Sequence, residues 1–307
     1  MKGGLKNPMH DHHQHGTPVD GGIGSFSDMW SPTVILITIL LTILYFALTG
    51  PLRHRFADSK PATAKQKVLF VLAMLFFYAG AGSPINYVGH HYLFSMHMLQ
   101  MSLLFFVLPP LLMVGIPGWL WTAIFSNKRM YALLRIFTKP IVAAVVFNAL
   151  LSFYHVPFIL DTASLNHDAM NAFHAFLFCT AFCMWWPIVN PLPGQPEQLA
   201  GLKKMAYLFA NGILITPACA LIIFAGEPIY QHYMNAPQLF EGYTAFVDQR
   251  TGGIIMKLVQ EMVYGSVLAY IFYKWRKDEK QDDLPMDQQP AAQNIGVLKP
   301  ATDQGRA

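Results

Sequence analysis

Apolar residues in this chain run in long unbroken blocks. They lack the alternation of a half-buried strand and the three-to-four spacing of a surface helix. Seven blocks lie near 32–50, 67–83, 94–116, 140–160, 168–189, 204–224 and 252–273. Each is close to or above the roughly 18 residues a helix needs to cross the hydrocarbon core. The second is the shortest, and Pro109-Pro110 interrupts the third. Open sheets cannot cross lipid because their edge groups find no partner there, and the period-two pattern of a closed barrel is missing. The pattern therefore predicts an all-α polytopic membrane protein with seven transmembrane helices. It divides the chain into a His-rich tail (1–31), a membrane domain (32–273) and a tail rich in Asp, Gln, Pro and Ala (274–307) that is expected to be solvated and disordered. The first 31 residues carry neither a long apolar core nor the usual cleavage site, so the first helix is expected to act as an uncleaved signal.

Composition agrees. Of 307 residues, 54% are hydrophobic and 12% charged, about half the charged fraction of a soluble protein, which excludes soluble enzymes. A net charge of +4 would ordinarily raise the question of nucleic acid, but the positions of the charges answer it differently. Seventeen of the 21 Lys and Arg fall in the 51–67 and 117–139 segments, at Lys203 and Lys204, and in the C-terminal tail. Because basic loops are retained on the cytoplasmic side, this asymmetry predicts an outside N-terminus and a cytoplasmic C-terminus. The charge is a topology signal, the partner is the lipid bilayer, and no nucleic acid is implied. All six tryptophans fall near predicted helix ends and read as interfacial anchors. Cys179, Cys183 and Cys219 lie in apolar stretches without metal or disulfide spacing.

The histidines then sort by side. Eleven of twelve fall outside or in the outer halves of helices: four in the N-terminal tail, then His90, His91, His97, His155, His167, His174 and His232; only His54 is cytoplasmic. His97 and Met101 are four apart and share a face of the third span, with Met98 and Gln100 nearby. Imidazole with thioether suits Cu(I), whereas calcium or magnesium would need more carboxylates. Packing is the plainer reading of the methionines. An intramembrane histidine is expensive enough to point to function. His155 and His174 are predicted at a depth similar to that of His97. In the seventh span, Lys257 and Glu261 are one turn apart and can pair; Glu261 is either half of a packing ion pair or a ligand near the metal. The tract Met9–His15 is of the kind that captures metal loosely.

The stretch Phe94-Ser95-Met96-His97-Met98-Leu99-Gln100-Met101, followed by Pro109-Pro110 and Gly115-Ile116-Pro117, resembles the seven-helix CtaG family of cytochrome c oxidase assembly factors found in Gram-positive bacteria. So do Met184-Trp185-Trp186-Pro187-Ile188 and the run from Asp248-Gln249 through Gly252-Gly253 and Met256-Lys257 to Gln260-Glu261. The resemblance covers about residues 67–273 and implies an accessory protein, not an enzyme, needed to make an active haem-copper oxidase. It implies a part in supplying or inserting copper, with oxidase subunits as partners; a copper-donor chaperone and a homodimer are further partners it admits. Some members carry His where this chain has Met101, which here favours the cuprous state. The expected site is outward-facing and drawn from His97, Met101, His155 and His174, with Glu261 and its ion-pair partner Lys257, and with His90, His91, Met98 and His167 around them. Two other readings stay open: a haem-binding membrane redox protein with axial histidines, and a metal or proton transporter relaying through Lys257 and Glu261. A retinal protein is disfavoured because the third span offers no carboxylate counter-ion.

Overall fold

The computed structural model describes residues 25–56, 58–192 and 199–282, and among these it is all helix and loop, with no strand. α1 (Pro32–Thr49) and α2 (Ala64–Ala81) are capped by Ser31 and by a Thr63/Gln66 capping box. After a break at Gly82 and Ser83, a short α3 (Pro84–His91) continues the stretch begun by α2. The third span comprises α4 (Phe94–Ser102), a π-helical turn (Leu103–Val107) and α5 (Leu108–Gly115). α6 (Gly118–Ile124) and α7 (Lys128–Phe137) lead to α8 (Pro140–Tyr154) and α9 (Pro157–Ser164). Then follow α10 (His167–Val189), α11 (Gly201–Phe224), the single turn α12 (Gln231–Met234) and α13 (Ala245–Asp282).

Six of these stretches are long and apolar enough to span a bilayer, and a seventh is counted if α7 and α8, bent by 74°, form one span. The fourth span, predicted over 140–160, is thus shorter than its apolar run. α8 stops at Tyr154 because Pro157, two residues beyond the cap, has no amide hydrogen to continue the ladder. The seventh is longer than predicted. α13 continues through Lys274–Asp282, so the first part of the tail expected to be disordered is helical; its Lys, Arg, Glu and Gln are good helix formers with no Gly or Pro among them. Residues 1–24 and 283–307, including the histidine tract, lie outside the described part.

The π turn has a local cause. Pro109 cannot donate to the carbonyl of Phe105, four residues back, and its ring crowds that carbonyl. The freed oxygen accepts the indole N–H of Trp185 at 3.2 Å from α10. In lipid such a carbonyl must be satisfied by the protein itself. This corrects the reading of all six tryptophans as interfacial anchors. Trp121, Trp185 and Trp186 are buried, with the Trp121 and Trp186 rings edge to face at 6.0 Å. The core is made by α4, α8, α10, α11 and α13, while α1 leaves most of its apolar surface to lipid.

Candidate metal centre at the histidine end of the bundle

Three helices bring histidines together. α4 starts where α13 starts, because the Asp248 carboxylate on α13 accepts the backbone N–H groups of Phe94 (2.6 Å) and Ser95 (3.1 Å). This is a charged N-cap supplied from another helix, placed where the helix dipole favours an anion. α3 lies directly against the first turn of α4: a side chain at Gly89 would put its Cβ 2.8 Å from the His97 backbone nitrogen. The close approach sets His90 beside His97. The loop between α11 and α13 holds α3 down, with Tyr233 donating to the Gly89 carbonyl at 2.8 Å and His232 Nε2 lying 2.9 Å from the His90 carbonyl. Asp161 on α9 accepts the backbone N–H groups of Gln231 and His232, and Tyr230 donates to the His155 carbonyl at 2.9 Å. Burial pushes the Tyr230 and Tyr233 phenols up from their ordinary pKa, so both remain neutral donors.

Within this frame the ring centres of His90, His97 and His174 stand 6.0 Å (90–97), 5.8 Å (90–174) and 5.6 Å (97–174) apart. His97 is wholly buried and His174 nearly so. The Tyr154 hydroxyl, at the last residue of α8, lies between two of them, 3.0 Å from His174 Nε2 and 3.3 Å from His97 Nε2. One hydroxyl proton can serve only one imidazole, so the other must present an N–H to the oxygen. If Tyr154 donates to the nearer His174, His97 is protonated on Nε2. Its Nδ1, buried without a hydrogen-bond partner among the described residues, then carries a bare lone pair. That is the form in which imidazole binds a metal.

Other predicted residues are distributed as follows. His155 borders the cluster: its ring meets Tyr154 edge-on at 5.3 Å, Nδ1 is 2.7 Å from the Leu151 carbonyl, and Nε2 is buried without a hydrogen-bond partner among the described residues. Met101 is buried one turn beyond His97, and Met98 faces Gly252 of α13. His91 stacks near Tyr87, its Nδ1 2.9 Å from that residue's carbonyl. His167 is the first residue of α10, and its side chain lies outside the described part.

Lys257 and Glu261 do pair, at 2.7 Å, but not beside the histidines. α13 and α4 run side by side in the same direction from Asp248 and Phe94, so at about 1.5 Å per residue Glu261 lies roughly 15 Å deeper than His97. The pair occupies a groove between α11 and α13, where Lys257 also donates to the Gly212 carbonyl, Thr216 and Gln260. Glu261 is 57% exposed on that outer flank. The expectation that Glu261 sits near the metal is corrected accordingly. Cys179 is exposed, Cys183 half-buried and Cys219 buried.

Sequence reasoning missed Tyr154 and Asp248. Tyr154 adjoins His155 and Asp248 stands in the run that carries the resemblance, yet which histidines a phenol bridges, or which helix a carboxylate caps, depends on neighbours that sequence spacing does not give. Among the described residues, no group of three or more His, Cys, Asp or Glu side chains is arranged to hold a metal ion with the rings as they stand.

The fold and this end of it define a polytopic membrane protein with a buried imidazole and phenol cluster, built on helices braced by its loops. Residues 43–278 match the family described as cytochrome c oxidase caa3 assembly factor, CtaG. The chain therefore belongs to that family of membrane assembly factors, which are not catalysts, and is a multi-pass bacterial membrane protein. Neither the curated proteins nor the solved structures searched yielded a match.

Proposed function

We propose that the protein handles copper for a haem-copper oxidase, holding the ion as cargo at His90, His97 and His174 and passing it to oxidase subunits at the outer face. The observation that carries this reading is the triangle of imidazoles with sides of 5.6–6.0 Å. Three imidazoles on one ion with metal–nitrogen distances of about 2.0 Å have ring centres roughly 5–5.5 Å apart. Contraction by about half an ångström per side would close the site, with His97 offering Nδ1 and Tyr154 released from His174 Nε2. The unpartnered Nδ1 of His97 supports the same reading, because a buried polar atom without a partner is costly unless something else satisfies it. Three neutral nitrogens without carboxylate suit a monovalent soft ion better than a hard divalent one. The excess of Lys and Arg at the opposite end supports an arrangement with the cluster outside and the C-terminus in the cytoplasm.

The test is copper content of the purified protein loaded under reducing conditions. Near-stoichiometric copper should survive removal of residues 1–20 and disappear in His97→Ala/His174→Ala. A wild type that carries no copper, or carries it only in the N-terminal tract, would overturn the reading.

A further inference from the structure

A cavity of about 500 Å³ lies beside the cluster, between α1 and α10, bounded inward by α2, α3, α4 and the π turn. It has two characters. At the histidine end it is lined by Asn86, Gln100, Asn171 and His174; deeper, by Phe77, Leu104, Phe105 and Phe178. No lysine or arginine lines it among the described residues.

Gln100 supplies an independent pointer. It is 2% exposed; its Nε2 donates to Asn86 Oδ1 at 2.7 Å, yet its Oε1 is buried without a hydrogen-bond partner among the described residues. An acceptor in that position calls for a donor from outside the described residues. The lining restricts what can supply it. A phospholipid headgroup would bring a phosphate into a site whose basic groups, among the described residues, are the imidazoles of His90, His91 and His174 and include no permanent cation. A flat neutral ring with a hydroxyl can donate to Gln100 and lie among the phenylalanines, and its apolar tail can leave through the lipid-facing cleft. The volume is that of an ordinary small-molecule site.

We propose that this cavity binds a prenylated quinol, with its ring hydroxyl on Gln100 Oε1 and its tail passing between α1 and α10. The oxidised quinone carries only acceptors at the ring, so the bare glutamine oxygen selects the reduced form. The inference goes beyond the copper reading and stands without it, because the site needs no metal.

The test uses the full chain, metal-free, in lipid nanodiscs. The probe is a naphthoquinone with a two-isoprene tail, applied anaerobically in its reduced and oxidised forms, and binding is taken as saturable uptake above that of empty nanodiscs. Wild type should bind the reduced form at least several-fold more tightly than the oxidised. Gln100→Leu should weaken the reduced form about tenfold and erase the preference. Ala175→Trp, at an exposed position lining the cavity, should abolish binding and keeps the test decisive if Gln100→Leu does not fold. Uptake that does not saturate, uptake unchanged in Ala175→Trp, or displacement by short-chain phosphatidylglycerol as effective as by the quinol itself would each overturn the proposal.

Discussion

Tyr154→Phe removes one oxygen and nothing else, and that oxygen joins two buried imidazoles at 3.0 and 3.3 Å. The ring remains, so no cavity term enters. What is lost is one hydrogen bond of ordinary length and one longer than the usual mode, together with the satisfaction of two buried nitrogens. Leaving a buried polar group unpaired costs about 1–3 kcal/mol. With the longer contact weighted to the low end, the metal-free variant should be less stable by roughly 2–4 kcal/mol, a drop in melting temperature on the order of 3–6 °C for a chain of this size. Copper should narrow the difference. If the ion takes His174 Nε2, the phenol competes with it there, and removing the phenol raises affinity. Wild type gains stability from copper as well, so the gap narrows only by the variant's tighter binding, each tenfold in Kd returning about 1.4 kcal/mol in saturating Cu(I). The assay is thermal unfolding in detergent, followed by tryptophan fluorescence with and without cuprous copper under reducing conditions. A metal-free Tyr154→Phe melting within a degree of wild type would refute the energetic argument. An undiminished deficit with bound copper would refute the claim that metal and phenol compete for His174 Nε2.

Gly89→Ala should place a methyl 2.8 Å from the His97 backbone nitrogen, force α3 off α4 at a cost of about 1–3 kcal/mol, and lower copper retention; both are read on the same purified protein. Asp248→Asn keeps one acceptor but loses the charge that caps α4, and should destabilise by about 1 kcal/mol, seen as a lower melting temperature at low salt. Raising the pH should test the buried phenols of the loop between α11 and α13. Tyr233 is held neutral by burial, so its folded pKa lies above its unfolded value near 10; its contribution is intact below about pH 10 and lost as pH rises beyond it. Tyr233→Phe should therefore show a shallower fall in melting temperature between about pH 10 and 11 than wild type, and an identical slope would count against the assignment.

Much of the fold was legible because lipid imposes one requirement on long segments: an apolar surface with every backbone group paired internally. That requirement is written directly in residue type, and six of the seven predicted blocks appear as helices long enough to span. The exception is α8, which ends early ahead of Pro157, a local effect that the apolar run of 140–160 does not register. Of the site, His97 and His174 could be picked out because intramembrane imidazoles are rare, and the structure brings them to one phenol. Glu261 was equally conspicuous for the same reason and proved distant, since rarity marks a residue but not its depth relative to another helix. Trp185 shows the opposite failure: near a helix end, a tryptophan resembles an anchor until the carbonyl it serves on α5's preceding turn is known.

The π turn at Leu103–Val107 also separates two rotational settings within a single span. A π turn carries a surplus residue, so α5 is out of phase with α4 by a fraction of a full rotation relative to an uninterrupted helix. α4 packs chiefly on α13 and α3, whereas α5 packs chiefly on α2. The span thus behaves like a key with two differently cut ends: the half bearing His97 is aligned by Asp248 and Gly89, and the half beyond Pro109 by a different set of neighbours. Because the phase offset is held by a proline and an indole rather than by the imidazoles, the scaffold half can accumulate substitutions without turning the site half. Deleting one residue from the turn would do the reverse, rotating the ends relative to each other by about 100° while leaving every side chain at the site chemically unchanged.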